Sequence, residues 1–366
     1  MNLSNGKAMQ SEVLLGKIAV LILGLVLLVK GSDFFVKAAA AIAKKLGVSE
    51  FVIGLTLVSV GTSIPELASS VAASLQQQSD IVMGNIVGSN IANIGLIIGL
   101  AATIAVIKTR EEMLKRDGYV MLFAALVLYL FILNTRISRV EAVIFLLLYL
   151  AYVLFLLTEK PKFKGEYGFK EFLTYFFKFE YVRTVINAVS DHNNRRKNDK
   201  NASEGVKSKT RGAGLAKDLM ILILSGVAII GGANYLIVEA LFFAEYFHIS
   251  KMLIGVSLVA VGTSLPELSV SVSAARQGYG DIAVANVIGS NIANIFLVLG
   301  VSALIFPLAI THETLVFIAP FMIVMTVLLL IFIKTRWELS RIEGLAVLSL
   351  YILFMSFLFL TASEIP

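Results

Sequence analysis

Two short segments of this chain, GTSIPEL at residues 61–67 and GTSLPEL at residues 262–268, place a glutamate directly after a proline in otherwise apolar sequence. In hydrocarbon a carboxylate costs about 2.5–3.5 kcal/mol on the mildest scale, so Glu66 and Glu267 are expected to face the protein interior and to work there. Pro65 and Pro266 each remove a backbone N–H and crowd the preceding turn. That predicts freed carbonyls near Gly61 and Thr62, and near Gly262 and Thr263. Irregular backbone at such depth is tolerated only where protein buries it or where it lines a cavity. Ser59, Thr62 and Glu66 stand at helical i, i+3 and i+7, and Ala260, Thr263 and Glu267 repeat that spacing, so each trio shares a face. Downstream, GNIVGSNIANIG sets Asn85, Ser89 and Asn93 at successive i+4 steps, and ANVIGSNIANIF does the same with Asn286, Ser290 and Asn294. Gly88 and Gly289 would let these helices approach the broken ones closely. Carbonyl, hydroxyl, amide and carboxylate all supply oxygen. An all-oxygen site with two carboxylates suits a hard cation such as Ca2+, which takes about six to eight oxygen ligands.

Each motif also has a plainer reading. GSNIAN alone could pack helices through small residues bridged by asparagine, and GTSxPEL alone could be a proline kink with its glutamate turned to water. Their joint duplication, in register, favours the cation site. Asp80 and Asp281 also repeat, but in short loops, where a helix N-cap is expected in preference to a ligand. Asp33 and Lys37 stand at i, i+4 and can pair with each other; their repeat mates Asn234 and Val238 preserve no pair.

The elements that must position these groups are membrane spans. Of the 366 residues 58% are hydrophobic and 15% charged, whereas a soluble domain carries about 25% charged residues. Ten apolar runs are long enough to cross a bilayer, near residues 13–45, 51–74, 81–107, 118–133, 140–158, 218–247, 252–275, 282–307, 315–333 and 342–361. The first run is too long for a perpendicular crossing, so it tilts or extends into the interface. Lys30, Asp33 and Lys37 follow its apolar core, which argues against a cleavable signal. The absence of cysteine excludes disulfides and thiol chemistry.

A shift of 201 residues superimposes Ser49–Gly99 on Ser250–Gly300 without a gap, with 28 of the 51 positions identical. SRVEA from Ser138 is echoed by SRIEG from Ser340. Each half then holds five helices, 1–158 and 218–366, and an odd number inverts the second half, as in secondary transporters. The expected fold is an all-α integral membrane protein of ten spans in two inverted five-helix repeats, with helices 2 and 7 broken. Lys44, Lys45, the KTREEMLKR loop at 108–116, Arg276, Lys334, Arg336 and Arg341 fall on one face, which the positive-inside rule assigns to the cytoplasm. Both termini are then outside. The linker 159–217 shares the cytoplasmic face; 14 of the 31 basic residues lie between Lys160 and Lys217, a concentration that suits anionic lipid better than nucleic acid. Residues 171–189 read as an amphipathic surface helix, and 190–214 as a disordered tether.

At these motifs the chain resembles the calcium/cation antiporter superfamily, in particular its sodium/calcium exchanger branch. The match rests on GLTLVSVGTSIPELASSVAAS…GNIVGSNIANIGL and GVSLVAVGTSLPELSVSVSAA…ANVIGSNIANIFL. The resemblance implies a plasma-membrane antiporter with cation sites shared by Na+ and Ca2+, held by Thr62, Ser63, Glu66, Ser89 and Asn93 with Thr263, Ser264, Glu267, Ser290 and Asn294. Backbone carbonyls of Ser59 and Ala260 would complete the set. It also implies alternating access, in which the first and sixth helices slide past the rest, with no organic cofactor and no obligate protein partner. The similar proton/calcium branch typically carries an acid in the helix where this chain has GNIVGSN, which favours sodium as the driving ion. Members often have aspartate at the position of Asn294, so this site would hold one carboxylate fewer. The linker lacks the acidic clusters of the calcium-sensing domains of animal members, so no calcium regulation is expected there.

Two other classes fit less well. A serine hydrolase lacks a base, since the three histidines are His192 in the linker and His248 and His312 at helix ends. A channel needs weak or multiple sites to release its ions, whereas two buried carboxylates hold a divalent cation firmly. Deleting residues 190–212 is expected to leave ion transport intact in proteoliposomes; a folded but inactive deletion would make the linker more than a tether.

Overall fold

The computed structural model describes residues 2–45, 61, 63–109, 111–157, 168–184, 186 and 209–362. Among them seven helices are long and apolar enough to cross a membrane, and a bent pair, Lys251–Thr263 with Leu265–Arg276, makes eight. Two of the ten expected runs are not among them. The run at 51–74 is described only from Gly61 onward and provides the 12-residue helix α2, Ile64–Leu75. The run at 118–133 provides the 14-residue helix Tyr119–Ile132, preceded by a π-helical turn, Leu114–Gly118, that carries Lys115, Arg116 and Asp117. The linker residues 190–208, and with them most of the expected tether, lie outside the described residues.

Chain order is mirrored between the halves. The long helix α1, Asn2–Lys45, is followed by α2, by α3 (Ser79–Ile104), by α4 (Tyr119–Ile132) and by α5 (Arg139–Leu157). After the linker helix α6, Phe169–Phe177, come α7 (Lys209–Tyr246), the bent pair α8 (Lys251–Thr263) and α9 (Leu265–Arg276), and α10 from Gly280 to Ile305. The chain ends with α11 (Thr314–Arg336) and α12 (Arg341–Ala362). The SRVEA and SRIEG echoes are matching capping boxes. Ser138 donates from its N–H and its hydroxyl to Glu141 at 2.6 and 2.8 Å, and Ser340 does the same to Glu343 at 2.8 and 2.7 Å.

Two short antiparallel ladders close opposite ends. β1 (Ile107–Lys108) pairs with β4 (Glu338–Leu339), and β2 (Arg136–Ile137) pairs with β3 (Leu308–Ala309). The Ser79 hydroxyl accepts from Ala309 N–H, which joins the α2–α3 turn to the β2–β3 end, while a Cβ on Gly280 would lie 3.0 Å from Ile107, which joins the α9–α10 turn to the other.

The linker helix differs from the reading of residues 171–189 as one surface helix. Helical structure starts at Phe169, and the apolar face of α6 packs on protein: Phe172 lies edge-on to Tyr152 and Phe155, and Tyr175 packs on Phe155. Phe177 and Phe179 are exposed beyond it. Asp33 also departs from expectation, pairing with Lys30 at 3.8 Å.

Helices α1 and α7 lie backbone to backbone. A Cβ on Gly232 would stand 2.7 Å from Gly24 O and Leu28 N, and one on Gly24 would stand 3.1 Å from Gly232 O. Only small residues permit such contact between helices. Lys17 ties the same pair together, at 3.1 Å from the buried Glu239 and with its ammonium 5.0 Å from the Phe242 ring centre. The variant Gly232→Val is expected to cost about 1–3 kcal/mol by overpacking. Its melting temperature in detergent should fall well below that of Gly231→Val, since a Cβ on Gly231 meets nothing within 4 Å.

Candidate cation site

The proline lies in the first turn of both α2 and α9, where the N–H it lacks has no intrahelical partner to lose. In the second repeat the axis bends by 50° at this break. The break turns the following glutamate inward: Glu66 is 1% exposed and Glu267 0%. Each glutamate meets the serine of the other repeat's motif. Ser264 donates to Glu66 Oε1 at 2.8 Å, and Ser63 reaches Glu267 Oε1 at 3.4 Å. Ser290 donates to the same Glu267 oxygen at 3.3 Å.

The α3 and α10 stripes close the site from the other side. Gly84 and Gly88 let α3 sit against α8; a Cβ on Gly88 would be 2.7 Å from Val256 Cα. That contact lets the Ser89 hydroxyl reach the Ala260 carbonyl at 3.4 Å. That carbonyl, which precedes the Gly262 and Thr263 carbonyls the proline was expected to free, is held within its own helix. It also accepts from Ser264 N–H at 3.1 Å and from the Thr263 hydroxyl at 3.3 Å, because Ser264 still closes one helical turn before the chain bends. Asn85, on the same stripe, braces the break: its amide donates to Glu66 O, Ser69 and Ser70, and its Oδ1 accepts from Thr263 at 3.1 Å. Its repeat mate Asn286 donates to Ser271 at 3.1 Å.

Asn93 and Asn294 each begin a π-helical turn, Asn93–Ile98 and Asn294–Val298. Such bulges inside α-helices are frequent at functional sites. Both asparagines are fully buried, and Glu66 Oε2, Asn93 Oδ1 and Asn294 Oδ1 have no hydrogen-bond partner among the described residues. Buried acceptors without a donor are costly. A hard cation satisfies them without one.

Of the twelve residues expected to hold cations, Ser63, Glu66, Ser89, Asn93, Ala260, Thr263, Ser264, Glu267, Ser290 and Asn294 are all buried and form a network of three hydrogen-bonded groups: Glu66 and Ser264 with Thr263, Ala260 and Ser89 through Asn85; Glu267 with Ser63 and Ser290; and Asn93 with Asn294 through Asn291 and Asn90. Ser59 and Thr62 lie outside the described residues. Asp80 is not the N-cap expected of it: Gln78 holds that position and Asp80 sits in the first turn of α3, where an acid suits the helix dipole. The spacing argument passed over Asn90 and Asn291, which hydrogen-bond to Asn294 and Asn93. Their signal was present in the second letter pair of both GSNIAN motifs, one i+3 step from the stripe residue.

Residues 16–158 and 217–360 match the family described as "Sodium/calcium exchanger protein". The chain belongs to that family. It is 56% identical over 341 residues to the sodium/calcium exchanger MaX1 of Methanosarcina acetivorans, covering 93% of this chain and 97% of the relative. It is 34% identical over 289 residues to the inner membrane protein YrbG of Escherichia coli, covering 79% and 80%. Among solved structures it is similar to the sodium-calcium exchanger NCX_Mj soaked with 100 mM Na+ and 10 mM Sr2+, with a TM-score of 0.57 and 30% identity over 93% of this chain and 97% of that one. Glu66→Gln and Glu267→Gln are each expected to abolish Ca2+ transport, and Asp80→Asn to leave most of it, because only the first two carboxylates sit inside the network. Tracer-calcium flux through the three purified variants checks this, and robust transport by either Gln variant would remove the core of the site.

Proposed function

We propose that this protein is a plasma-membrane antiporter that uses Na+ movement to drive Ca2+ the other way by alternating access. The observation that carries the reading is the pair of buried glutamates, each bonded by a serine of the opposite repeat, together with the buried Asn93 and Asn294 amide oxygens, which like Glu66 Oε2 have no donor among the described residues. Such a cluster accepts either ion. A divalent cation is balanced by two carboxylates, and monovalent ions can replace it at separate oxygens of the same cluster. Ser63, Glu66, Ser89, Asn93, Thr263, Ser264, Glu267, Ser290 and Asn294 are its side-chain ligands, with Thr62 and the carbonyls of Ser59 and Ala260 beside them.

The architecture we assign is ten spans in two inverted repeats, residues 1–158 and 218–366, joined by the cytoplasmic linker 159–217. Supporting it, the connections fall into two groups at opposite ends: residues 107–108 lie with 338–339 and 280, and residues 136–137 lie with 308–309 and 79. Alternate crossings require this grouping. The basic end, with Lys108, Lys334 and Arg341, is the cytoplasmic one, and both termini are outside. Helices α1 and α7, bound by glycine contact and by Lys17–Glu239, move as one body against the site helices.

Proteoliposomes loaded with Na+ are expected to accumulate tracer calcium when diluted into Na+-free medium. Accumulation driven equally well by a proton gradient with Na+ absent would instead assign the protein to proton/calcium exchange within the same fold.

A further inference from the structure

The two asparagines of the candidate site are gripped from across the repeat boundary. Asn93 Nδ2 donates to Asn291 Oδ1 at 2.9 Å, and Asn294 Nδ2 donates to Asn90 Oδ1 at 3.1 Å. Behind these contacts stand groups that only accept. Asn291 Nδ2 faces Met121 Sδ at 3.6 Å and the Asn90 carbonyl at 3.4 Å, and Asn90 Nδ2 faces Met322 Sδ at 3.6 Å. A thioether or a carbonyl has no hydrogen to give, so the amide beside it turns its NH2 that way and its oxygen toward the site. The site asparagine must then offer its own NH2 to that oxygen. Its Oδ1 is left pointing away, and in both repeats this atom is buried without a hydrogen-bond partner among the described residues.

We propose that Asn90 and Asn291, backed by Met322 and Met121, are positioning residues that lock the Asn294 and Asn93 amides with their carbonyl oxygens toward the transported cation. The proposal rests on the cation-site reading above. An amide turned the other way presents two N–H donors, which repel a cation where an oxygen should bind it. The same device sets the chemistry of position 294. Asn90 Oδ1 facing that side chain rewards an amide and opposes a carboxylate, since two acceptors would then stand against each other. The exchanger branch often carries aspartate there. The lower charge of this site is thus built into the residue behind it.

The test is the Ca2+ dependence of Na+-driven uptake by the full chain in proteoliposomes. Asn291→Leu is expected to raise the KM for Ca2+ about tenfold, the scale of one hydrogen bond lost, with the maximal rate largely kept. Asn291→Asp, buried beside the Asn90 carbonyl as the neutral acid, gives that carbonyl an O–H and keeps a C=O to accept from Asn93 Nδ2, and should stay within about threefold of the parent. A role in filling space predicts the reverse order, because leucine is easier to bury than a carboxyl group. In an Asn93→Asp background the leucine substitution should change KM little, since a carboxylate shows the cation an oxygen whichever way it turns. Equal increases in both backgrounds, or better tolerance of leucine than of aspartate, would overturn the positioning role. Unchanged Ca2+ and Na+ dependence in Asn93→Asp alone would overturn the cation-site reading itself. If Asn291→Leu does not fold, Asn90→Leu with Asn294→Asp runs the same cycle from the other repeat.

Discussion

Burying two carboxylates inside a hydrophobic protein is the constraint around which the rest is arranged. Neither Glu66 nor Glu267 can be left to hydrocarbon, and each needs hydroxyl donors close by. Each takes one from the other half of the chain, Ser264 for Glu66 and Ser63 for Glu267, and Glu267 takes a second from Ser290 of its own half. The two halves therefore interlock at the glutamates, which gives the duplication a physical purpose beyond symmetry.

Interlocking demands close backbone approach, and glycine supplies it where the helices meet. Gly84 and Gly88 seat α3 against α8, so the site hydroxyls and amides of one repeat reach the broken helix of the other. At α1 and α7 the same device binds two long helices to each other, and their glycines leave no room for a side chain between them. The break after Thr263 and the π-helical turns at Asn93 and Asn294 serve the same end. Each redirects a helix where oxygen is required, and each is tolerated because the surrounding backbone is buried in protein.

Charge is rationed within the site. Among the described residues no group of three or more His, Cys, Asp or Glu side chains converges, and the groups bonded to the two glutamates are serine hydroxyls. Hydroxyl and amide oxygens surround two carboxylates, a donor set matched to hard cations that must be released as well as bound. A cluster with more fixed charge would hold a divalent ion longer. Neutral oxygens supply coordination without that penalty.

Much of this was legible in the chain itself. Composition required a membrane, the exact spacing of two copied motifs identified the glutamates and the hydroxyl and amide stripes, and the basic loops divided the connections into two faces. These readings depend on local periodicity and on the cost of charge in hydrocarbon, which hold whatever the tertiary arrangement. Tertiary structure decided the rest. It showed that Ser264 serves Glu66 and not its own repeat's glutamate, that the Ala260 carbonyl is already bonded by Ser264 N–H, and that α6 packs on protein. It also showed which way the amides of Asn93 and Asn294 turn. Spacing places a side chain on a face, but an amide has an oxygen and an NH2 of nearly equal size, and only the groups packed behind it, here two thioethers and a carbonyl, determine which of them takes the hydrogen bond and which is left without one.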